Sequence, residues 1–298
     1  MQLSVQSVIS ISLSIIGIPG IIINSATLSV YIRLWRTSNR LGASDPILLS
    51  MALTNLLLVC QLLVTYYLYY FHTQFNTGIL FLFCVLYVLY NMSLWNTAWL
   101  SICYCVKLVT VTYRIFLWVK MWFPSFITKL LIGSAIWSVL VNLPFIWTVQ
   151  IMFPQNTNIT DGSVRSAMKL KILYTVLNLL LSYVLPFTLT AICIGLSVTS
   201  LLHHVWMIRQ NVSQDSSSPQ LQALVRAAVT MTLRVVLDLT FLIILIYTFA
   251  VSLNVSPVIE TLFWVYLISY PSVQAFILIF GNPKLKRSLL VIRNRQDV

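Results

Sequence analysis

Seven stretches of this chain are each long and apolar enough to cross a lipid bilayer, and that repetition restricts the fold more than any single motif. A helix needs about 20 mostly apolar residues to span the hydrocarbon core. Residues 8–32, 44–69, 80–108, 126–151, 172–202, 221–251 and 258–282 meet that requirement. The breaks between them carry turn or charge signals: Arg36 to Arg40, His72 to Gly78, Lys120 to Pro124, Pro154 to Asp161, Asp215 to Pro219, and Asn254 to Pro257. Lipid supplies no partner for backbone polar groups, so only helices and closed barrels span it. Barrel strands are short and alternate in polarity, unlike these runs. The expected fold is therefore an all-α membrane protein, a seven-transmembrane helix bundle forming one domain over residues 1–298.

Charge agrees with this reading. Only 8% of residues are charged and 59% are hydrophobic, against roughly 25% charged in soluble domains, so there is too little charge to coat a globule in water. The net charge of +12 would suggest nucleic acid in a soluble protein. Here the basic residues are scattered between apolar runs, and their placement follows the positive-inside rule. With the N-terminus outside, the cytoplasmic segments hold fifteen Lys and Arg residues and the exterior only Arg165, Lys169 and Lys171. That asymmetry predicts an extracellular N-terminus and a cytoplasmic C-terminus.

Other features narrow the class. Five cysteines (Cys60, Cys84, Cys103, Cys105 and Cys193) lie in or beside apolar segments, with no zinc-like spacing and none between residues 151 and 171. A disulfide-stapled ectodomain and a metal site are not expected. The first apolar run lacks a basic leader and exceeds signal-peptide length, so it reads as an uncleaved span. Residues 1–7 before it are too few to hold a ligand. No cofactor is implied, and no Gly-x-Ser-x-Gly, His-Glu-x-x-His or paired intramembrane carboxylates suggest an enzyme. The tail after Pro283 reads as a short C-terminal amphipathic helix, with Leu285, Leu289, Leu290 and Ile292 against lipid and basic residues near anionic headgroups.

At the seventh span the residues become specific. Tyr270-Pro271-Ser272, followed by the run from Phe276 to Lys286 that contains Phe280-Gly281-Asn282-Pro283-Lys284, resembles the end of the bitter-taste (taste receptor type 2) family of G-protein-coupled receptors. Leu100-Ser101 through Tyr104 and Lys107, then Phe116 to Lys120, resemble the family's third span and second inner loop. Leu185-Pro186-Phe187 and Ser200-Leu201 with His204 resemble the fifth span, and Asn24 sits where the first span usually has an asparagine. The family's usual arginine in the second span is replaced after Met51-Ala52-Leu53-Thr54 by Asn55. Leu86 and Tyr90 stand where many members have tryptophan and asparagine, and Arg234 and Asp238 where mammalian members carry aromatic or aliphatic residues. These departures are those of a divergent member, consistent with a non-mammalian one. The absence of Asp-Arg-Tyr after the third span and of proline within the sixth distinguishes the chain from amine or peptide receptors.

The resemblance implies a small bitter-type ligand bound in the outer half of the bundle and a heterotrimeric G protein of the gustducin/inhibitory type at the plasma membrane. Tyr66, Leu86, Tyr87, Tyr90, Asn91, Asn178, Tyr247, Phe263 and Trp264 are the candidate ligand residues, aromatic walls with a few polar handles. Tyrosine and tryptophan also populate membrane interfaces. Glu260 can meet a basic ligand or remain a solvated loop charge. Lys107, Lys120, His204, Arg226 and Lys284 are candidates for the G-protein-facing end, where the positive-inside rule also places basic residues. Asn24, Asn55, Arg234 and Asp238 are candidate switch residues. Arg234 and Asp238 are four apart, close enough to pair on one helix face. Asn158, in Asn158-Ile159-Thr160, is the expected glycosylation site. A vomeronasal type 1-like receptor and a small-molecule transporter are the alternatives.

Overall fold

The computed structural model describes residues 13–37, 42, 44–71, 77–108, 114–152, 167–170, 172–211, 219–250, 257–281 and 285. Seven helices are long and apolar enough to cross a membrane. The first, Ile18–Thr37, continues a π-helical turn at Leu13–Gly17. The second is Asp45–Phe71, the third Thr77–Leu108 and the fourth Arg114–Asn142, followed by a single helical turn at Phe145–Thr148. The fifth runs from Ile172–Asn178 through a π-helical turn at Leu179–Val184 into Leu185–Asn211. The sixth is Pro219–Ala250 and the seventh Pro257–Gly281. The expected C-terminal amphipathic helix lies outside the described residues, apart from the buried Leu285.

Local chemistry accounts for several boundaries. Asp45 opens the second helix, its carboxylate accepting the Gly42 N–H at 2.8 Å while its own N–H donates to the Gly42 carbonyl at 2.9 Å. The sixth and seventh helices begin on Pro219 and Pro257, the position where a missing N–H costs nothing. Pro144 ends the fourth helix, and its carbonyl takes the Thr148 hydroxyl at 2.9 Å. The segment beyond it is extended, not helical. Val149–Met152 (β1) pairs antiparallel with Ala167–Leu170 (β2), Val149 opposite Leu170 and Gln150 opposite Lys169. The fourth span therefore stops short of its expected end at residue 151, because the proline has already broken the ladder.

The third helix is the hub. It packs on the second, fourth and fifth, while the seventh closes the ring against the first, second and sixth. The fourth is the most peripheral, with 22% of its spanning window buried, and turns Ile132, Ile136, Val139 and Leu140 outward. In lipid such apolar surface carries no penalty, so association rests on close packing and interhelical hydrogen bonds. The first and seventh helices meet at such a contact. Gly20 is buried, and a Cβ built there overlaps the Ser272 hydroxyl, which donates to the Ile16 carbonyl at 3.3 Å.

This contact predicts that Gly20→Ala lowers the melting temperature of the detergent-solubilised protein, the overpacking costing about 1–3 kcal/mol. Removing the hydroxyl in a Gly20→Ala/Ser272→Ala double variant should recover part of that loss. Equal melting of wild type and Gly20→Ala would show that the helices do not meet here.

Candidate functional site

Among the described residues, two clefts lie toward opposite ends of the bundle. The first is built from the early turns of the third helix (Phe83, Leu86, Tyr87, Tyr90), Tyr183 of the fifth, Phe241 and Leu245 of the sixth, and Phe263, Trp264 and Leu267 of the seventh. Its atom-free space, open solvent included, is about 380 Å³. Aromatic contacts set its walls. Tyr90 stacks on Phe241 with centroids 4.8 Å apart, and Trp264 meets Tyr66 edge to face at 5.9 Å. Phe145, in the short turn after the fourth helix, supports Tyr87 from behind at 5.0 Å.

The position of Tyr90 has a backbone cause. Pro271 lies inside the seventh helix, and a proline there removes the N–H that would bond the carbonyl four residues earlier. That carbonyl belongs to Leu267, and the Tyr90 hydroxyl donates to it at 3.1 Å across the helix interface. An orphaned buried carbonyl is thereby satisfied, and the floor of the cleft is tied to the seventh helix.

Below this floor sits a buried polar cluster. The Tyr270 hydroxyl donates to the Asp238 carboxylate at 2.8 Å, and Phe241 packs on the Tyr270 ring at 4.8 Å. Arg234 Nε donates to the Thr97 hydroxyl at 3.1 Å, and Ser93 donates to Gln274 at 3.0 Å. Arg234 and Asp238 therefore take partners on the third and seventh helices and make no direct ion pair with each other, although their spacing would allow one. Arg234 Nη2 is buried with no hydrogen-bond partner among the described residues. Arg234 also lines the second cleft, with Tyr104, Ser101, Thr230, Met231 and Gly281. From Tyr90 to Tyr104 the third helix advances roughly 21 Å, so the cluster occupies the layer between the clefts.

The sequence-derived candidates distribute unevenly. Leu86, Tyr87, Tyr90, Phe263 and Trp264 line the first cleft. Tyr66 stands behind Trp264 as its edge-to-face partner. Asn91 is fully buried, its carboxamide without a partner among the described residues, and it is not a lining residue. Asn178 donates to Asn142 at 3.0 Å and to the Val141 carbonyl at 3.3 Å, fastening the fifth helix to the fourth. Tyr247 is 44% exposed on the outer face of the sixth helix. Glu260 lies in the first turn of the seventh helix, its side chain outside the described residues. Sequence reasoning missed Tyr183, Phe83, Phe241, Leu245 and Leu267. Phe241 and Leu245 are one turn apart on the face that also carries Arg234 and Asp238, a stripe the sequence does contain.

A comparison with known families decides the identity. The profile of the taste receptor protein (TAS2R) family matches residues 1–295. This chain belongs to the taste receptor type 2 family. Among its relatives, taste receptor type 2 member 41 of Pan troglodytes is 28% identical over 302 residues, covering 96% of this chain and 95% of that receptor. Taste receptor type 2 member 40 of Gallus gallus is 26% identical over 289 residues, covering 95% and 92%. As a type 2 taste receptor the chain is a multi-pass membrane protein of a bitter-taste receptor family, not an enzyme. At the end of the bundle holding the second cleft, Lys107 is exposed in the last turn of the third helix, 3.5 Å from the Ser44 hydroxyl, and Arg226 is exposed on the sixth. Lys120 and His204 lie in helices with side chains outside the described residues, and Lys284 and Asn158 lie outside them altogether. Asn24 donates to the Gly20 carbonyl of its own helix at 2.8 Å, and the buried Asn55 Oδ1 has no partner among the described residues.

The Tyr90–Leu267 bond predicts a double-variant outcome. Tyr90→Phe orphans the carbonyl and should cost about 1–3 kcal/mol, read as a lower melting temperature. In a Pro271→Ala background the helix supplies its own donor, and the same substitution should cost markedly less. An identical cost in both backgrounds would disprove the assignment of the Tyr90 hydroxyl to the proline-freed carbonyl.

Proposed function

We propose that the chain is a plasma-membrane receptor, N-terminus outside and C-terminus cytoplasmic, that detects small, largely apolar organic molecules of the bitter kind in the first cleft. It then activates a heterotrimeric G protein of the gustducin/inhibitory type at the second. The observation that carries this reading is the continuity between the aromatic cleft and the buried polar cluster. Tyr90 and Phe241 form the floor of one and pack on Tyr270, which holds Asp238 in the other.

A ligand shifts a conformational equilibrium only by the difference in its affinity for the two states. Here a ligand pressing on Tyr90 and Phe241 changes the packing of Tyr270, and so competes with the bonds that hold the sixth helix to the third and seventh. Arg234 and Asp238 act as the lock, and the Arg234 face of the sixth helix borders the second cleft. Lys107, Lys120, His204, Arg226 and Lys284 are the basic groups assigned to the G-protein side. Asn158 is the proposed glycan acceptor. The stacked rings between the clefts favour a receptor over a conduit, since a through-path would have to cross them.

Cells co-expressing the chain with a gustducin-chimeric G protein provide the test, with calcium release as readout against a panel of bitter compounds. Leu245→Trp fills the cleft and should abolish the response at unchanged surface expression. Trp264→Ala, which removes a wall, should lower potency at least about tenfold, or 1.4 kcal/mol. Responses undiminished in both variants would place the ligand elsewhere. Tyr270→Phe removes the hydroxyl that holds Asp238 and should raise basal nucleotide exchange several-fold; an unchanged basal rate would remove the cluster from the switching mechanism.

A further inference from the structure

We propose that the Tyr183 hydroxyl recognises a hydrogen-bond acceptor on aromatic molecules held in the first cleft, and so sets which of them bind. The inference rests on the cleft being the ligand site and names the ligand class that site takes.

Among the described residues the cleft's walls are rings and leucines, which favour a flat ring system stacked or held edge-on. Of the polar atoms there, the Tyr90 hydroxyl is committed to the Leu267 carbonyl. Tyr183 differs. It is 1% exposed, and its hydroxyl has no hydrogen-bond partner among the described residues. A buried donor without an acceptor is a standing cost that a ligand carbonyl or ether would relieve. Asn91 and Ser182 are also buried and, among the described residues, unpartnered, but neither lines the cleft.

The backbone explains why a tyrosine hydroxyl is held there. Tyr183 lies in the π-helical turn Leu179–Val184, where the Leu185 N–H bonds the Leu180 carbonyl five residues back. Pro186 follows at once, and its missing N–H makes the turn a weak point of the helical ladder. The inserted residue alters the phase of the helix, and the Tyr183 ring comes 6.1 Å from Phe241 of the sixth helix. Single π-turns of this kind recur at functional sites. A site with a polar group awaiting a partner rejects molecules lacking the complement more strongly than an apolar wall does.

The test uses the full chain in lipid nanodiscs, with binding read as ligand-dependent thermal stabilisation. The probes are 2-acetylnaphthalene, which carries an acceptor, and 2-ethylnaphthalene, which does not. The acetyl compound should bind more tightly than the ethyl compound. Tyr183→Phe should weaken it about five- to tenfold, the size of one lost hydrogen bond, while leaving 2-ethylnaphthalene unchanged. The unliganded variant should melt no lower than wild type, because it deletes only an unpartnered hydroxyl; a structural role would lower it. No probe binding at all, or a ketone affinity indifferent to Tyr183→Phe, would each overturn the proposal. Leu245→Trp separates the two levels. If it abolishes ketone binding while Tyr183→Phe does not matter, only the role of Tyr183 falls. If ketone binding survives Leu245→Trp, the cleft itself is not the site.

Discussion

The hydrogen bond from Tyr90 to the Leu267 carbonyl joins the features on which the rest of the bundle depends. In lipid an unbonded carbonyl has no water to turn to, so a proline within a spanning helix creates a demand that only another side chain can meet. Pro271 creates it and the third helix meets it. The same tyrosine stacks on Phe241 and touches Tyr270, so a backbone repair also holds the third, sixth and seventh helices at one level. The cleft above and the polar cluster below are two sides of that junction.

The cluster obeys the same rule with charged groups. An arginine and an aspartate deep in a spanning helix are expensive unless partnered. Here Thr97 and Tyr270 supply bonds from neighbouring helices. Cross-helix partners make the pair sensitive to helix movement, whereas a pair closed within the sixth helix would travel with it unchanged. Among the described residues Arg234 Nη2, beside the second cleft, is buried without a partner.

Much of this was legible in the chain. Seven apolar runs predicted seven spanning helices, and the residues from Tyr270 to Lys286 identified the family. Leu86, Tyr87, Tyr90, Phe263 and Trp264 were found as candidates and line one cleft. Tyr183 and Phe241 were not, because in nearly all-apolar helices the polar-to-apolar contrast that reveals an inward face is missing. Asn178 looked like a polar handle but is bonded to Asn142 of the fourth helix. Tyr247 is as aromatic as Tyr90, yet turned outward. Residue type alone does not distinguish a tyrosine facing lipid from one facing a cleft when both surroundings are apolar.

The sequence by itself determined the number of spans, their approximate limits and the family, because burying a backbone in lipid demands long helices and hydropathy records that demand directly. Tertiary structure decided which faces of those helices meet. It paired the carbonyl freed by Pro271 with Tyr90, gave Arg234 and Asp238 partners on different helices, and used a π-turn before Pro186 to set Tyr183 at the cleft. Those outcomes depend on the rotation of each helix about its axis. In an all-apolar solvent, that rotation is governed by interhelical packing and a few hydrogen bonds, not by the hydrophobic pattern.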